Sequence, residues 1–335
     1  MRTKDSGRFV KISGIGSYVP ERILTNNELE KMVDTSDEWI QTRTGIKERR
    51  IAADNQATSD LCVLAAQRAM ESAKISRNDI DLILVGTITS DMPFPSTAVI
   101  VQSKLGLSNI PCFDYNVACS GTQYGIELAS SLLTGSRKYR NILLICGDKM
   151  SSVVDWQDRA TCVLLGDGAG AMVLSVTENG EENSIVDVLL GANGGLWELL
   201  FLAAGGSKEP ASFKTVENRK HFLRMSGRDV FREAVLVMQS CAQEILSRNN
   251  MTIEEIDFVV PHQANLRIIT ALQERLGVFD EKICITVDKY GNTSASSCLI
   301  AMDTFVKSGK IRRGSKILSM GFGAGLTWGA AILKF

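Results

Sequence analysis

The alternation of apolar and polar positions divides the chain into short β-favouring runs and amphipathic segments that recur in one order. Residues 10–18 alternate with period two and predict a first strand. Thr25-Asn26-Asn27-Glu28 has the form of a helix N-cap leading into residues 29–32, and a polar stretch follows over 34–46. Leu61, Leu64, Ala65, Ala69 and Met70 fall in helical register and predict an amphipathic helix over 58–73. Residues 80–87 read as a buried strand, 91–96 as a loop, and 98–105 as a helix ending at Gly106. A β-favouring run from Phe113 then breaks at Ala118-Cys119-Ser120-Gly121, and a helical pattern covers about 122–133.

The second half repeats this order. An amphipathic helix leads to Asp79-Ile80-Asp81 in the first copy and Glu255-Ile256-Asp257 in the second, each opening a buried strand. A helix then ends in Leu105-Gly106 or Leu276-Gly277. A β-favouring segment leads to a small-residue turn, Cys119-Ser120-Gly121 or Gly291-Asn292-Thr293-Ser294. Each turn opens a helix running to Gly135 or Gly309, and a strand closes each copy, at 141–145 and 316–320. Such an order predicts a duplicated, layered α/β architecture with two central mixed, largely parallel sheets. The halves are 1–177, holding Cys119, and 178–335, holding His262 and Asn292, in one bi-lobed unit. Duplication places Cys119 and Asn292 at equivalent turns facing the junction. Between the copies, 178–222 reads as a linking strand plus long loops.

Composition narrows the class. The chain has 335 residues, 44% apolar and 22% charged, with net charge −1, so its overall charge calls for neither nucleic acid nor an anionic membrane. Residues 1–8 are polar, and no apolar run approaches the roughly 18 residues of a spanning helix. A cytoplasmic protein is expected. The eight cysteines are scattered, form no C-x-x-C pair, and have only His221 and His262 to assist a metal, so they read as reduced core residues and no metal site is expected. Gly166-Asp167-Gly168-Ala169-Gly170 lacks the lysine of a phosphate loop and precedes a strand-like run, which removes a nucleotide reading.

Three residues carry candidate chemistry. Cys119 stands at a strand-to-helix break, where unpaired N–H groups and the helix dipole favour the nucleophilic thiolate. Read locally, packing in a tight turn explains it more simply. His262 directly follows a buried strand, the usual place for sites in α/β folds, whereas His221 lies in the charged run 218–221 and reads as solvated surface. Asn292 is either a helix-capping turn residue or a fixed amide donor.

These motifs resemble a known family. Asn116-Val117-Ala118-Cys119-Ser120-Gly121, Pro261-His262-Gln263-Ala264-Asn265 and Gly291-Asn292-Thr293-Ser294-Ala295-Ser296 are similar to the Cys, His and Asn motifs of β-ketoacyl-acyl-carrier-protein synthase III. Asp34-Thr35-Ser36-Asp37-Glu38-Trp39, the 166–170 run and Gly321-Phe322-Gly323-Ala324-Gly325 also match, over about 10–335. The resemblance implies a thiolase-like fold. It implies decarboxylative condensation of an acyl-CoA primer, acetyl or a short relative, with malonyl-acyl-carrier-protein. Cys119 would carry the acyl group, and His262 and Asn292 would assist decarboxylation.

The backbone N–H groups of Cys119 and Ala324 would form the oxyanion site, with Ala324 standing where many relatives have glycine. For CoA it implies Trp39, Arg43 and Arg159 at the nucleotide, and Gly227, Phe231, Ala264 and Asn265 along the pantetheine channel. Phe94 would close the acyl pocket of a partner subunit in a homodimer, and Arg232, Arg267 and Arg275 would meet the acidic carrier. No cofactor is implied. A polyketide- or biotin-pathway relative is the alternative with the same chemistry. A cysteine hydrolase has only the Cys and His to support it, and a non-catalytic carrier-binding protein predicts loss of a motif residue, yet all three are present.

Overall fold

The computed structural model describes residues 7–335; the polar start of the chain over 1–6 lies outside the described residues. Two mixed sheets organise the molecule. The first comprises β1 (Phe9–Tyr18), β2 (Leu82–Gly86), β3 (Cys112–Tyr115), β4 (Asn141–Asp148) and β5 (Gly168–Thr177), in the order β1-β5-β4-β2-β3. The second comprises β6 (Ile185–Ala192), β7 (Phe258–Pro261), β8 (Lys316–Gly323) and β9 (Thr327–Lys334), in the order β7-β8-β9-β6.

The second sheet repeats four of the five strands of the first. β1/β5 and β5/β4 are antiparallel, as are β6/β9 and β9/β8. β4/β2 and β2/β3 are parallel, and so is β8/β7. A single parallel bridge from Val259 to Ile283 stands where β3 pairs in the first sheet. The expected parallel majority is corrected: four of the seven pairings are antiparallel. The reason is local, since residues 324–326 join β8 to β9 in a tight turn, and a turn that short can only reverse the chain.

The helices follow the same plan. They are α1 (Asp37–Thr44), α2 (Thr58–Ala73), α3 (Thr97–Lys104), α4 (Gly121–Gly135), α5 (Gly227–Arg248), α6 (Leu266–Leu276) and α7 (Ser297–Lys307). α2 covers the outer face of the first sheet and α5 that of the second, while α4 and α7 lie between the sheets and touch both. The result is five alternating layers. A helix between two sheets must be apolar on every side, and α7 is buried from Ser297 through Asp303. Sequence patterning recovers α2 to the residue. It misses α1, whose polar composition hides the signals at its ends: the Ser36 hydroxyl accepts the Trp39 N–H, and Gly45 closes it with φ 74°.

The first turns of α4 and α7 meet at the centre of the molecule. Each helix is preceded by a 3-10 turn, Ala118–Ser120 and Ser294–Ser296, and the two turns touch. Thr122 Oγ1 donates to the Ala295 carbonyl at 2.8 Å, across the junction. Ala118 and Ser294, each three residues before its helix, both adopt left-handed φ, 47° and 54°. Non-glycine residues rarely hold such angles, so matched outliers mark a shared, enforced geometry. In this register the residue matching Cys119 is Ala295, with Asn292 slightly upstream. The turns are equivalent, as expected, but the two functional side chains are not.

The linking segment contains β6, which forms the second sheet's edge beside β9, then the 3-10 stretch Gly194–Leu199 and a short helix, Phe213–Glu217.

Candidate active site

The Cys119 turn is clipped to the β8–β9 turn. Thr327 Oγ1 donates to the Val117 carbonyl at 2.9 Å and lies 2.7 Å from Ser120 Oγ, with the Ala324 carbonyl at 3.1 Å. Gly323 has to be glycine, because a Cβ there would stand 2.5 Å from the Cys119 nitrogen. Backbone therefore lies on backbone beside the sulfur, where an oxyanion site needs its donors. Ala324 is compatible with this turn: the left-handed φ, 128°, falls on Gly325, and Ala324 is not among the residues with positive φ.

Burial pushes the Cys119 thiol up to about 12, with the Ser294 hydroxyl, 3.7 Å from Sγ, working against the shift. Burial thus works against the thiolate that the helix N-terminus favours.

His262 leaves β7 with its N–H bonded to the Met320 carbonyl at 2.7 Å, which fixes its backbone on β8. Its Nδ1 lies 2.7 Å from Ser297 Oγ, and that oxygen also accepts the Gln263 N–H at 3.2 Å. A serine hydroxyl that donates to Nδ1 leaves the ring's own proton on Nε2. Burial holds the imidazole down at about 4, so at neutral pH it is an uncharged N–H donor.

Asn292 is fixed the same way. Its backbone N–H donates to the Leu164 carbonyl at 2.8 Å, and its carbonyl accepts the Gly166 N–H at 3.0 Å. Its Oδ1 accepts the Ser294 N–H at 2.8 Å, which leaves Nδ2 as the outward donor. Ser297 and Ser294, which hold the His262 ring and the Asn292 amide, were not singled out from the sequence. Their only signal was the serine run after Asn292.

The buried His262 makes stability depend on pH. Its folded value, about 4, lies below the unfolded value of about 6.5, so the unfolded chain binds more protons between them. The contribution is fully present above pH 6.5 and is lost as pH falls towards 4. Denaturant titrations at pH 7 and pH 5 should show a drop about 2 kcal/mol larger for the wild type than for His262→Gln. Equal drops would mean that His262 is protonated in the folded protein.

Cys119, His262 and Asn292 line one mainly apolar cavity of about 100 Å³, together with Gly227, Phe231, Ala264 and Asn265. Leu200, Met225, Met238 and Phe322 are among its other wall residues and were not foreseen. A larger cleft, about 630 Å³, lies elsewhere between Lys11, Arg140, Glu182 and Arg313, and holds none of the candidate residues. Size and chemistry part company here, and the chemistry identifies the site.

Trp39, Arg43 and Arg159 are outside this cavity. The Arg159 guanidinium stacks 4.9 Å over the Trp39 ring and donates to the Asp34 carbonyl at 2.8 Å. The Arg43 carbonyl accepts from Asn265 Nδ2 at 3.2 Å, which ties α1 to the cavity wall.

The three arginines expected to meet the carrier differ. Arg267 stacks 5.5 Å over Phe231, Arg275 donates to Gln239 Oε1 at 3.0 Å, and Arg232 is held by Asp229 at 3.6 Å and Glu233 at 3.2 Å. Phe94 is 84% exposed, away from this chain's own cavity. His221 is corrected from solvated surface: it is half-buried, 2.9 Å from Thr215 Oγ1. Among the described residues, all eight cysteines are free and no group of His, Cys, Asp and Glu is placed to hold a metal. No described helix is long and apolar enough to cross a membrane.

The family described as 3-oxoacyl-[acyl-carrier-protein (ACP)] synthase III matches this chain over residues 113–194, and its C-terminal counterpart matches 246–335. The chain is 52% identical to a β-ketoacyl-[acyl-carrier-protein] synthase III of Caldanaerobacter subterraneus, covering 97% of both chains. It is 47% identical to that of Natranaerobius thermophilus, over 97% of this chain and 99% of the relative. The crystal structure of the Aquifex aeolicus synthase III is similar at TM-score 0.88 and 43% identity, covering 97% of this chain and all of that one. The priming β-ketosynthase of the R1128 polyketide pathway is similar at TM-score 0.89 and 35% identity, over 100% and 98% of the chains.

Proposed function

The chain belongs to the β-ketoacyl-[acyl-carrier-protein] synthase III family, an acyl-transferring condensing enzyme that initiates fatty acid synthesis, and from that premise we propose how its residues divide the reaction. Cys119 takes an acyl group from acyl-CoA and CoA leaves. Malonyl-acyl-carrier-protein then loses CO₂, and negative charge collects on its thioester oxygen. His262 Nε2–H and Asn292 Nδ2–H donate to that oxygen. The carbanion attacks the Cys119 thioester, and the N–H groups of Cys119 and Ala324 hold the resulting oxyanion. The observation that carries this reading is the convergence of Cys119, His262 and Asn292 on one cavity, with both partners neutral donors. A neutral donor stabilises charge as it develops without first pairing with the malonyl carboxylate.

We assign Gly227, Phe231, Ala264 and Asn265 to the pantetheine arm, because they line the path to Cys119. Adenine would rest at the Trp39–Arg159 stack, with Arg43 beside it. Arg267 is the strongest of the three carrier contacts proposed, since Phe231 orients it at the cavity mouth; Arg232 and Arg275 extend the basic face. The halves 1–177 and 178–335 act as one bi-lobed unit, because the site takes Cys119 from one and His262 and Asn292 from the other. The exposure of Phe94 supports a homodimer in which it enters the partner's site. The reaction needs no cofactor and is placed in the cytoplasm, where its water-soluble thioester substrates would be used.

The test incubates the protein with acyl-CoAs from acetyl to branched and medium chains, reads intact mass, then adds malonyl-acyl-carrier-protein. The small cavity favours a short primer, so the acetyl adduct should form fastest and give acetoacetyl-carrier product. No adduct from any CoA thioester would overturn the assignment. A preference for a long or unusual primer would favour the polyketide priming role printed for the R1128 relative.

A further inference from the structure

Gln263 follows His262 at the end of β7, is buried, and does not line the cavity. Its side chain nevertheless uses every hydrogen bond that a primary amide can make. Nε2 donates to the Pro261 carbonyl at 2.7 Å and to the Cys284 carbonyl at 3.0 Å. Oε1 accepts the Thr286 N–H at 2.8 Å and the Val287 N–H at 3.1 Å. Pro261 belongs to the strand that delivers His262, whereas Cys284, Thr286 and Val287 belong to the segment that runs into Asn292. Among the described residues, only the bridge from Val259 to Ile283 pairs β7 with that segment. The amide stands in for the missing rungs.

The connection onward to Asn292 has no slack. Thr286 does not cap the short helix Val287–Tyr290 with its own side chain, and the Gln263 amide takes the free N–H groups instead. That helix ends at Gly291, whose N–H donates to the Val287 carbonyl at 3.0 Å and whose φ is 63°. A Cβ on Gly291 would stand 2.7 Å from the Leu164 carbonyl, the same oxygen that accepts the Asn292 N–H. On its other side, the Gln263 N–H donates at 3.2 Å to Ser297 Oγ, which lies 2.7 Å from His262 Nδ1. Gln263 therefore holds the supports of both donors, the serine beside the His262 ring and the helix that leads to Asn292.

We propose that Gln263 is a positioning residue that fixes the spacing between His262 and Asn292, so that both donors reach one thioester oxygen as the malonyl group loses CO₂. The inference rests on the reading that these two residues receive that oxygen. Each donor must then sit about 2.7–3.1 Å from the same point. Two donors carried on separate segments meet that condition only if the segments are locked to each other. Gln263 touches no substrate and acts through its neighbours.

The test times the two half-reactions separately. Cys119 is acetylated with acetyl-CoA and checked by intact mass, then mixed with malonyl-acyl-carrier-protein while CO₂ release is followed in a single turnover. Gln263→Met, similar in length but unable to make any of the four bonds, should slow CO₂ release about 10²-fold. Acylation of Cys119 should stay close to the wild-type rate. Gln263→Glu, which keeps an oxygen for the Thr286 and Val287 N–H groups, should recover part of the loss. In an Asn292→Asp background the Gln263→Met loss should be much smaller, because one of the donors it positions is already gone. Equal losses in both half-reactions, or an undiminished loss in that background, would overturn the inference and leave Gln263 a packing residue. Should Gln263→Met not fold, Gln263→Glu decides: a loss confined to CO₂ release supports positioning, and rates unchanged or evenly lowered overturn it. If Asn292→Asp alone slows both half-reactions alike, the two-donor reading fails and the inference falls with it.

Discussion

Cys119→Ala should abolish acyl-adduct formation and lower condensation by about 10⁴-fold or more, as loss of a covalent nucleophile does in other enzymes. No other cysteine, serine or lysine lines the cavity to take its place. The remaining thiols are poor substitutes. Burial pushes Cys146 up to about 12 and Cys298 up to about 11, and neither is exposed to substrate. The variant should also fold, because Ala295 already occupies the matching position in the second turn without disturbing it. That makes the loss chemical rather than structural. Intact mass after acyl-CoA incubation decides the point, with a thermal melt to confirm folding. An adduct that persists in the variant would move the nucleophile elsewhere.

Removing the two donors should strike the other half of the reaction. His262→Ala and Asn292→Asp are each expected to slow malonyl decarboxylation about 10²- to 10³-fold, the typical cost of one preorganised donor. Asn292→Asp is the cleaner change at that site. It keeps an oxygen for the Ser294 N–H, whereas alanine would leave that buried N–H unpaired at a cost of about 1–3 kcal/mol. Together the two substitutions should cost about 10⁴-fold, less than additive if both donors share one oxygen. Acylation of Cys119, read by mass, should suffer far less than CO₂ release. Equal losses in both half-reactions would mean that His262 and Asn292 shape the cavity rather than stabilise the enolate. His262→Gln adds a check, since it can still donate an N–H and should recover part of the rate.

Much of this molecule is written in local pattern. The 58–73 helix and the N-cap at Thr25 follow from short-range periodicity and hydrogen bonding, although the helix that Thr25 opens covers only Asn26–Leu29 and does not run on through residues 30–32. The strands after Asp81 and Asp257 are legible in the same way. The duplication was legible because each copy must bury the same kind of helix between the same kinds of strand. Cys119, His262 and Asn292 were legible as candidates because each stands where a buried strand or segment gives way to a helix, with no other histidine in a comparable place.

What the linear order cannot carry is which ends meet. Sequence alone placed the three residues on three turns; only the packing of α4 and α7 tip to tip between the sheets brings those turns to one cavity. Strand sense was likewise a tertiary outcome, since antiparallel pairing of the closing strands depends on turns whose reach a hydrophobic pattern does not encode. Protonation states were decided at the same level. A helix N-terminus argues for a thiolate, and an isolated histidine titrates near neutrality, yet burial pushes against the first and holds the second neutral. The charge of a group is set by everything within a few ångströms of it. Along this chain those neighbours, Ser294 for Cys119 and Ser297 for His262, come from 175 and 35 residues away.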